Sequence, residues 1–461
     1  MEILWEVGIA FHEPEAIEIF KEHGFRVEGR TVFPTEAQVA RALDKAPSIF
    51  TVTARNPAKN VVIGGERFVF LPGYGPPFIL DADGEQRQAL MEDYDNFCKL
   101  VQTSRYIDMN GFLMVEPWDV PSLVADLEML HSSIILCDKP FMGAPLSRQT
   151  AADSVEMAAI VWGGRDRIQE KPVMVSILGP SSPLQYSREM AGALIEFARA
   201  GQAILVACLV MAGSSGPVSL AGVLALQNAE LLAGLTLAQL VRPGVPVIYG
   251  AASSPVDMRT GSVSIGAPEM SQLVQGTAQM ADFYSLPSRG GGDLTDAHFP
   301  DIQAGMESAL GLLTAVRSGI NFVLHSCGIL GSFISMSYEK FVVDEELCGM
   351  VRKMLRPMDL SPEAIDVESI KKVGIGGQFL TQPKTLAQCR TAFFIPELLA
   401  RGGYGNWKNA GKKRLDQVAT LTVARRLAAY EKPEMDQGLE QELGAFVARQ
   451  KALRGAIPRA V

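Results

Sequence analysis

The sequence predicts an α/β fold, a TIM-type (β/α)8 barrel with an N-terminal helical segment and a C-terminal helical extension. Three observations predict it. Near-continuous apolar runs ending in Gly, Pro or Ser recur eight times along the middle of the chain, and segments of helical period separate them. The units follow one another at about 30–40 residues, over a span close to the ~250 residues such a barrel occupies. Strands that are apolar along their whole length are buried on both faces, as a parallel sheet covered by helices requires. The rival is an open doubly wound sheet. That fold normally opens on a GxGxxG turn after its first strand, and no such turn is present there.

The elements follow in order. Residues 1–66 read as small amphipathic helices, with "FPTEAQVARAL" supplying a capping signal at Thr35. The barrel is expected over 67–337. Its strand runs are "RFVFLPGYGPP" from Arg67, "YIDMNGFLMVEP" from Tyr106, "KPFMGAP" from Lys139 and "PVMVSILGP" from Pro172. They continue with "AILVACLVMAGSSGP" from Ala203, "PVIYGAASS" from Pro246, "ADFYSLPSRGGG" from Ala281 and "NFVLHSCGILG" from Asn321. Segments such as "SLAGVLALQNAELLAGLTLAQLV" and "DIQAGMESALGLLTAVRSG" supply the helices. From Tyr338 the chain becomes charged and helical, broken by "VGIGGQFL" and "RGGYGNWKNAGKK". Residues 338–461 therefore read as an extension that packs on the barrel or forms an oligomer contact.

Composition excludes several function classes. A net charge of −9 with no basic stripe argues against nucleic-acid binding. Cys98, Cys137, Cys208, Cys327, Cys348 and Cys389 show no CxxC spacing, which suits the reduced thiols of a cytoplasmic protein. Glu2 and Glu6 disqualify the start as a secretory signal, and the longest uncharged apolar run, "AILVACLVMAG", falls short of the ~18 residues of a membrane span. A soluble cytoplasmic protein is the expectation. No metal site is expected either: His12, His23, His131, His298 and His325 lie far apart, without an HxH or HExxH pair.

In a barrel, chemistry sits at the carboxyl ends of the strands. "SRGGGD" reads as the loop after the penultimate strand, where Gly291 and Gly292 let the backbone approach a ligand and take positive φ. Arg289 beside three glycines suits a carboxylate or phosphate receptor. His325 ends the last strand among small neighbours; Cys327 is small filler. Glu116, in "MVEPWD", suits loop capping or a cation. Tyr74, Phe78, Trp118, Tyr284 and Phe333 are expected at strand ends, either as rim packing or as aromatics around a quaternary ammonium, which cation–π attraction holds without hydrogen bonds. His298 is expected to shape the rim, with a helix starting near Asp301 and facing the pocket by its N-terminus. No general acid–base pair is evident, so no catalytic residue is assigned.

Several longer stretches go beyond pattern: "YGPPFILDADGEQR", "SGPVSLAGVLALQNAELLAG", "PGVPVIYG", "GGDLTDAHFPDIQAGMESA", "HSCGILGSFISMSYEKFVVDEE", "VGIGGQFL" and "YGNWKNAGKK". Through them the chain resembles, over almost its whole length, the trimethylamine methyltransferase superfamily, in the branch that lacks pyrrolysine and includes glycine betaine:corrinoid methyltransferases. Members usually begin with a further N-terminal helix, and relatives can place an aromatic where this chain has Ile329. The resemblance implies a TIM barrel that passes a methyl group from an amine to the cobalt of a separate corrinoid protein docked over the mouth. It implies no tightly bound cofactor. Arg289 and His325 would anchor a substrate carboxylate, and Glu116, Tyr74, Tyr284 and Phe333 would surround the ammonium. Asp296, Gln303 and Glu307 match family positions and would organise a loop or face the corrinoid. Glycine betaine, giving dimethylglycine, is the first expected substrate; carnitine, choline and proline betaine are alternatives, as is a non-catalytic protein that binds small quaternary amines. A metal-dependent barrel hydrolase is a third reading. A homo-oligomer is expected.

Overall fold

The computed structural model describes residues 1–455. At its centre, seven strands pair in parallel in the order Val69–Phe70, Phe322–Leu324, Ser288–Gly291, Val247–Ala251, Ala203–Cys208, Met174–Leu178 and Phe141–Met142. The first strand in the chain lies against the last, with Phe322 opposite Val69. The eighth place is filled by an irregular segment: Asp108 N–H donates to the Phe70 carbonyl (2.9 Å) and Asn110 N–H to that of Pro140 (2.8 Å). The run "YIDMNGFLMVEP" thus closes the ring where a second strand was expected, held by these bonds and, further on, by Gly75 N–H to the Leu113 carbonyl (2.7 Å) and Glu116 N–H to the Pro76 carbonyl (3.0 Å). Polar side chains take over the rest. The Asp108 carboxylate accepts from Phe70 N–H (2.7 Å), and Lys139 Nζ donates to the carbonyls of Val101, Ser104 and Ile107 (2.7, 2.8 and 2.6 Å). Carbonyls drawn onto one ammonium are not free to form a ladder.

Alternation along the strands decides what enters the barrel. Tyr249 points outward and its hydroxyl donates to Asn228 Oδ1 (2.9 Å) on the helix Leu220–Val241. Gly250 faces inward with Leu205 and Arg289; a Cβ there would lie 2.6 Å from Leu205 Cδ1 and 3.1 Å from Arg289 Cβ. The Leu220–Val241 helix is long and apolar enough to cross a membrane, but most of it is buried within the fold. It packs on the strands inside and on the helices Pro14–Glu22 and Glu36–Leu43 outside.

The glycine-rich stretch differs from its expected role. "TAQMADF" belongs to the helix Pro268–Phe283, and the strand is Ser288–Gly291 itself rather than the run before it. Neither Gly291 nor Gly292 has positive φ. Their smallness serves close approach instead. A Cβ at Gly291 would meet Leu294 Cδ1 at 2.3 Å, one at Gly292 would meet Val323 Cγ1 at 2.9 Å, and one at Gly311 would lie 2.6 Å from the Gly292 carbonyl oxygen. Gly292 and Gly311 let the helix Ile302–Arg317 lie directly on the end of the strand, and Gly291 makes room for Leu294. Gly311→Ala is expected to destabilise by about 1–3 kcal/mol through overpacking, although alanine is favoured by roughly 1 kcal/mol in a free helix. A thermal melt of the variant at or above the wild-type temperature would contradict the close approach.

The N-terminal segment is not purely helical. Its helices alternate with three-residue strands too short to show a period of two. Ile9–Phe11 pairs antiparallel with Thr31–Phe33 and parallel with Gln185–Tyr186, in the loop after Met174–Leu178. The capping box at Thr35 is present: Thr35 Oγ1 accepts from Gln38 N–H (3.3 Å), and Gln38 Oε1 accepts from Thr35 N–H (3.0 Å). The hairpin of Ile49–Val52 and Val61–Gly64 sits at the amino-end face, where Thr53 N–H donates to the Pro172 carbonyl (2.8 Å).

At the other terminus, the helix Tyr338–Met354 follows the last strand and packs beside Ile302–Arg317, so the eighth barrel helix is the first element of the expected extension. Leu415–Ala428 lies on it, and Gln437–Gly455 lies on Ser122–Leu136. Arg454 anchors the last helix, reaching Asp126 (2.6 and 3.0 Å) and Asp153 (2.5 Å). Residues 456–461 of the expected extension lie outside the described residues.

Candidate functional site

Arg289 rises from the inner face of Ser288–Gly291 and is 1% exposed. Its Nη1 donates to the Ala251 carbonyl (2.5 Å), and its Nε has no partner. Among the described residues no carboxylate pairs with it. Burial pushes its pKa down to about 10, against a small upward pull from Cys208, so the guanidinium stays charged at neutral pH. Large charged side chains are almost never buried without a counter-ion. A cation in that position, with a free donor, is built to receive an anion.

His325 stands at the next strand end. Its backbone is left-handed (φ 61°), held by its N–H to the Pro72 carbonyl (3.2 Å) and by its own carbonyl accepting from Asp293 N–H (2.8 Å). The backbone N–H of Tyr74 donates to Nδ1 (3.2 Å). A peptide N–H can only donate, so Nδ1 is unprotonated and Nε2 carries the hydrogen. Burial, and then the charge of Arg289, hold the imidazole pKa well below its ordinary range. The ring is a neutral Nε2–H donor next to a cation.

An aromatic ring flanks this donor. Phe333, also left-handed (φ 73°), places its ring 4.9 Å from that of His325. The loop from His325 to Phe333 holds positive φ at three non-glycine residues, His325, Ser332 and Phe333, a concentration of strain of the kind that clusters at ligand sites. Tyr74 is half-buried in the loop after the first strand, and burial raises its phenol well above the ordinary value, so it remains neutral. Arg289, His325 and Phe333 thus come together at the carboxyl-end mouth, with the Tyr74 backbone bonded to the imidazole.

The remaining expected residues divide. Glu116 lies at the rim, its N–H bonded to the Pro76 carbonyl (3.0 Å) and its side chain exposed. Trp118 stacks on Phe78 (6.4 Å between centroids) and is half exposed, which is rim packing. Tyr284 is a correction. It caps the helix Pro268–Phe283 ahead of its strand, at the amino-end face, where its hydroxyl accepts from Asn228 Nδ2 (3.0 Å). It was expected at a strand end because "ADFYSLP" reads as a strand, and it cannot reach the mouth.

Asp296, Gln303 and Glu307 form a bracket that ties three segments together. Asp296 accepts from the N–H groups of Ile265 (2.9 Å) and Gly266 (3.1 Å) and from the Ser332 hydroxyl (2.7 Å). Glu307 accepts from the Thr295 hydroxyl (2.6 Å), Asp296 N–H (2.8 Å) and Gln303 Nε2 (3.0 Å). Asp301 is the N-cap of the following helix, accepting from Ala304 N–H (3.1 Å).

One group went unread in the sequence. Beneath His325, Asp293, Lys340, Asp344 and Cys348 are all buried. Lys340 pairs with Asp344, which also accepts from Gly328 N–H (2.9 Å), and Lys340 donates to the Ser308 hydroxyl (2.7 Å). Asp293 has only the Cys348 thiol (3.7 Å), and its other oxygen has no partner. Burial first, then the neighbouring Asp344 charge, hold Asp293 protonated. The i,i+4 spacing of Lys340 and Asp344 was the available signal, but on a charged helix it reads as a solvated pair. A separate cavity of about 230 Å³, between Thr103–Tyr106 and Phe394–Leu398, lies on the flank away from the mouth.

A barrel with a buried, unpaired cation at its carboxyl-end mouth defines a small-molecule enzyme of the TIM-barrel class. Comparison with known proteins carries this further. The trimethylamine methyltransferase (MTTB) family profile matches residues 1–455. A glycine betaine methyltransferase of Desulfitobacterium hafniense is 47% identical over 451 residues, covering 97% of this chain and 94% of that protein. The trimethylamine methyltransferase MttB of Methanosarcina barkeri is 33% identical over 464 residues, covering 99% and 93%. The solved monomethylamine methyltransferase MtmB of Methanosarcina barkeri superposes with a TM-score of 0.51 at 10% identity, covering 94% and 97%, a likeness of fold alone. The chain belongs to the trimethylamine methyltransferase family. It is a methyltransferase.

Proposed function

We propose that this enzyme moves a methyl group from a carboxylate-bearing quaternary amine, with glycine betaine as first candidate, to a corrinoid carried by a separate protein. The observation that carries the reading is the buried Arg289 guanidinium with a free donor, beside the Nε2–H of a neutral His325. A carboxylate there would receive a charged and a neutral donor together. Phe333 sets an uncharged ring beside the same end, and Tyr74 follows in the adjoining loop, side chains suited to an ammonium that has no N–H to donate. The relative at 47% identity, a glycine betaine methyltransferase, supports the same substrate.

The reaction asks little acid–base chemistry of the chain. When the N–CH3 bond of a quaternary ammonium breaks, its electron pair returns to nitrogen and a neutral tertiary amine leaves, with no proton to supply. The reduced corrinoid supplies the nucleophile. Arg289 and His325 hold the carboxylate inside, so that the ammonium end faces the open mouth from which the acceptor must come. Their work is positioning and exclusion of water.

The test is a spectrophotometric assay with a reduced corrinoid protein or free cob(I)alamin. Glycine betaine, carnitine, choline, proline betaine and trimethylamine are offered in turn. Loss of the Co(I) band with glycine betaine and none with trimethylamine is the expected result. Methyl transfer from choline or trimethylamine at the same rate would overturn the carboxylate reading. Betaine binding by calorimetry without transfer from any donor would make the chain a binding protein.

A further inference from the structure

The inner face of the barrel is uneven at the level of Arg289. Strand register sets Phe322 opposite Arg289, Arg289 opposite Gly250, and Gly250 opposite Ala207. Gly179 comes next, beside Ala207, just past the pairing of Leu178 with Val206. Residues paired across a sheet share a face, so Phe322, Gly250 and Ala207 point inward with Arg289. On one side of the arginine stands the Phe322 ring, wholly buried. On the other side the row carries nothing larger than a methyl group. The two glycines in it have no room for more. A Cβ at Gly250 would lie 3.1 Å from Arg289 Cβ, and one at Gly179 would lie 2.2 Å from the Ala207 carbonyl oxygen.

The arginine leans to the open side. Its Nη1 passes over Gly250 to the Ala251 carbonyl (2.5 Å), which carries the guanidinium towards Ala207, and its Nε is left without a partner. The same guanidinium interacts with Cys208, the residue after Ala207. Ala207, Gly179 and Ile177 are only half-buried, although all three belong to barrel strands or their ends, whereas Phe322, Arg289 and Gly250 are buried. A hollow therefore lies beside the guanidinium on the Ala207 side. It is shallow, because Ile177 and Leu205 pair across the level below. A buried donor without a partner, aimed along such a hollow, marks where an anion lies.

We propose, on the reading of Arg289 as a carboxylate receptor, that Ala207 is the residue that sets the length of the substrate. The carboxylate lies in the hollow between the guanidinium and the Ala207 methyl group. The bond to Ala251 fixes how deep the receptor sits, and Leu205 and Ile177 stop the acid from sinking further. The ammonium end is fixed as well, at the Phe333 ring beside His325, because the methyl acceptor comes from outside the barrel. With both ends fixed, the spacer between them is fixed too. A shallow hollow selects the single methylene of glycine betaine. Each added carbon lifts the ammonium away from the ring, and carnitine, with three carbons between its charged groups, is lifted furthest. Gly250 supports this role from beneath the arginine: a side chain there would raise the receptor itself.

Equilibrium binding to the full chain, without any corrinoid, tests this. The ligands are glycine betaine and β-alanine betaine, which has two methylenes, both read by calorimetry, and formate, read by the rise it gives in melting temperature. One methylene in a close-fitting pocket is worth roughly 10–200-fold, so the wild-type chain is expected to bind glycine betaine at least about 10-fold more tightly than its homologue. Ala207→Val fills the hollow and is expected to weaken glycine betaine by about 30-fold or more, while the response to formate, the smallest carboxylate, is kept. Ala207→Gly deepens the hollow and is expected to move the preference by about 10-fold towards β-alanine betaine. Unchanged glycine betaine binding in Ala207→Val, or an unchanged preference in Ala207→Gly, overturns the role of Ala207 and leaves Arg289 as the receptor. Loss of the formate response in Ala207→Val overturns it too, because the change then acts on the receptor and not on length. A wild-type chain that binds none of the three carboxylates removes the receptor and overturns both.

Discussion

Arg289→Met lowers kcat/KM for glycine betaine by about 1,000-fold and raises the melting temperature of the unliganded protein. The two signs come from one fact, that the guanidinium is buried with no counter-ion of its own. Truncating one side of a buried, hydrogen-bonded charge pair costs about 2–5 kcal/mol. At 1.4 kcal/mol for each factor of ten, a 1,000-fold loss is about 4.2 kcal/mol, in the upper part of that range. Without substrate the balance reverses. An uncompensated charge held out of water is a standing cost, and a methionine of similar length removes it. The gain is expected to be roughly 1–3 °C in a chain of this size. The measurements are steady-state kinetics on betaine and on a carboxylate-free quaternary cation, with a thermal melt of the apo protein. Equal losses on both donors, or a lower melting temperature, would sink the assignment.

The second large effect lies beneath the site. Lys340→Met is expected to cost about 3–5 kcal/mol, the usual result of stripping one partner from a buried pair, because Asp344 would be left enclosed without its partner. Asp293→Asn, in the same buried group, is expected to be nearly neutral at low pH. Asp293 already behaves as an uncharged group, held protonated by burial and by its neighbour. Its folded pKa is raised, so its contribution is whole below the ordinary carboxylate value of about 4 and is lost as pH rises towards the folded value. The asparagine has no such loss. The difference in melting temperature, variant minus wild type, should therefore climb steadily from pH 5 to pH 8. A flat difference would show that Asp293 is charged in the folded protein. Because Asp293 N–H holds the His325 carbonyl, Lys340→Met should also lower the affinity for betaine.

The sequence showed the barrel where burial alone builds a strand. Met174–Leu178, Ala203–Cys208 and Val247–Ala251 are apolar apart from Ser176 and stand at their expected places. It misled where something other than apolarity does the work. Ser288–Gly291 is a strand without a hydrophobic residue, chosen so that a helix can lie against it, and its helix was taken for the strand. That single misreading moved Tyr284 from the amino-end face to the mouth. The segment around Asp108 is shaped by a buried lysine in a later unit, a contact that no local pattern records. At the site, Arg289 and His325 stood out by residue type and place, whereas the need for a neutral ring followed only from the Tyr74 N–H. The buried acid at Asp293 was hidden because its partners sit about 50 residues further along the chain.

The pairing of Val69–Phe70 with Phe322–Leu324 also sets a timetable for synthesis. The two strands are separated by roughly 250 residues, and the N-terminal strand Ile9–Phe11 waits for Gln185–Tyr186 in the same way. At about 5–20 residues per second the ribosome needs on the order of tens of seconds to deliver the strand that completes the ring. Through that interval the nascent chain carries an unclosed sheet with a raw margin at each side. The arginine is itself made shortly before the last strand, and only that strand commits it to the interior. The binding site is thus among the final things the growing polypeptide acquires, and a chain released early has the apolar strands of this enzyme without the place that holds its substrate.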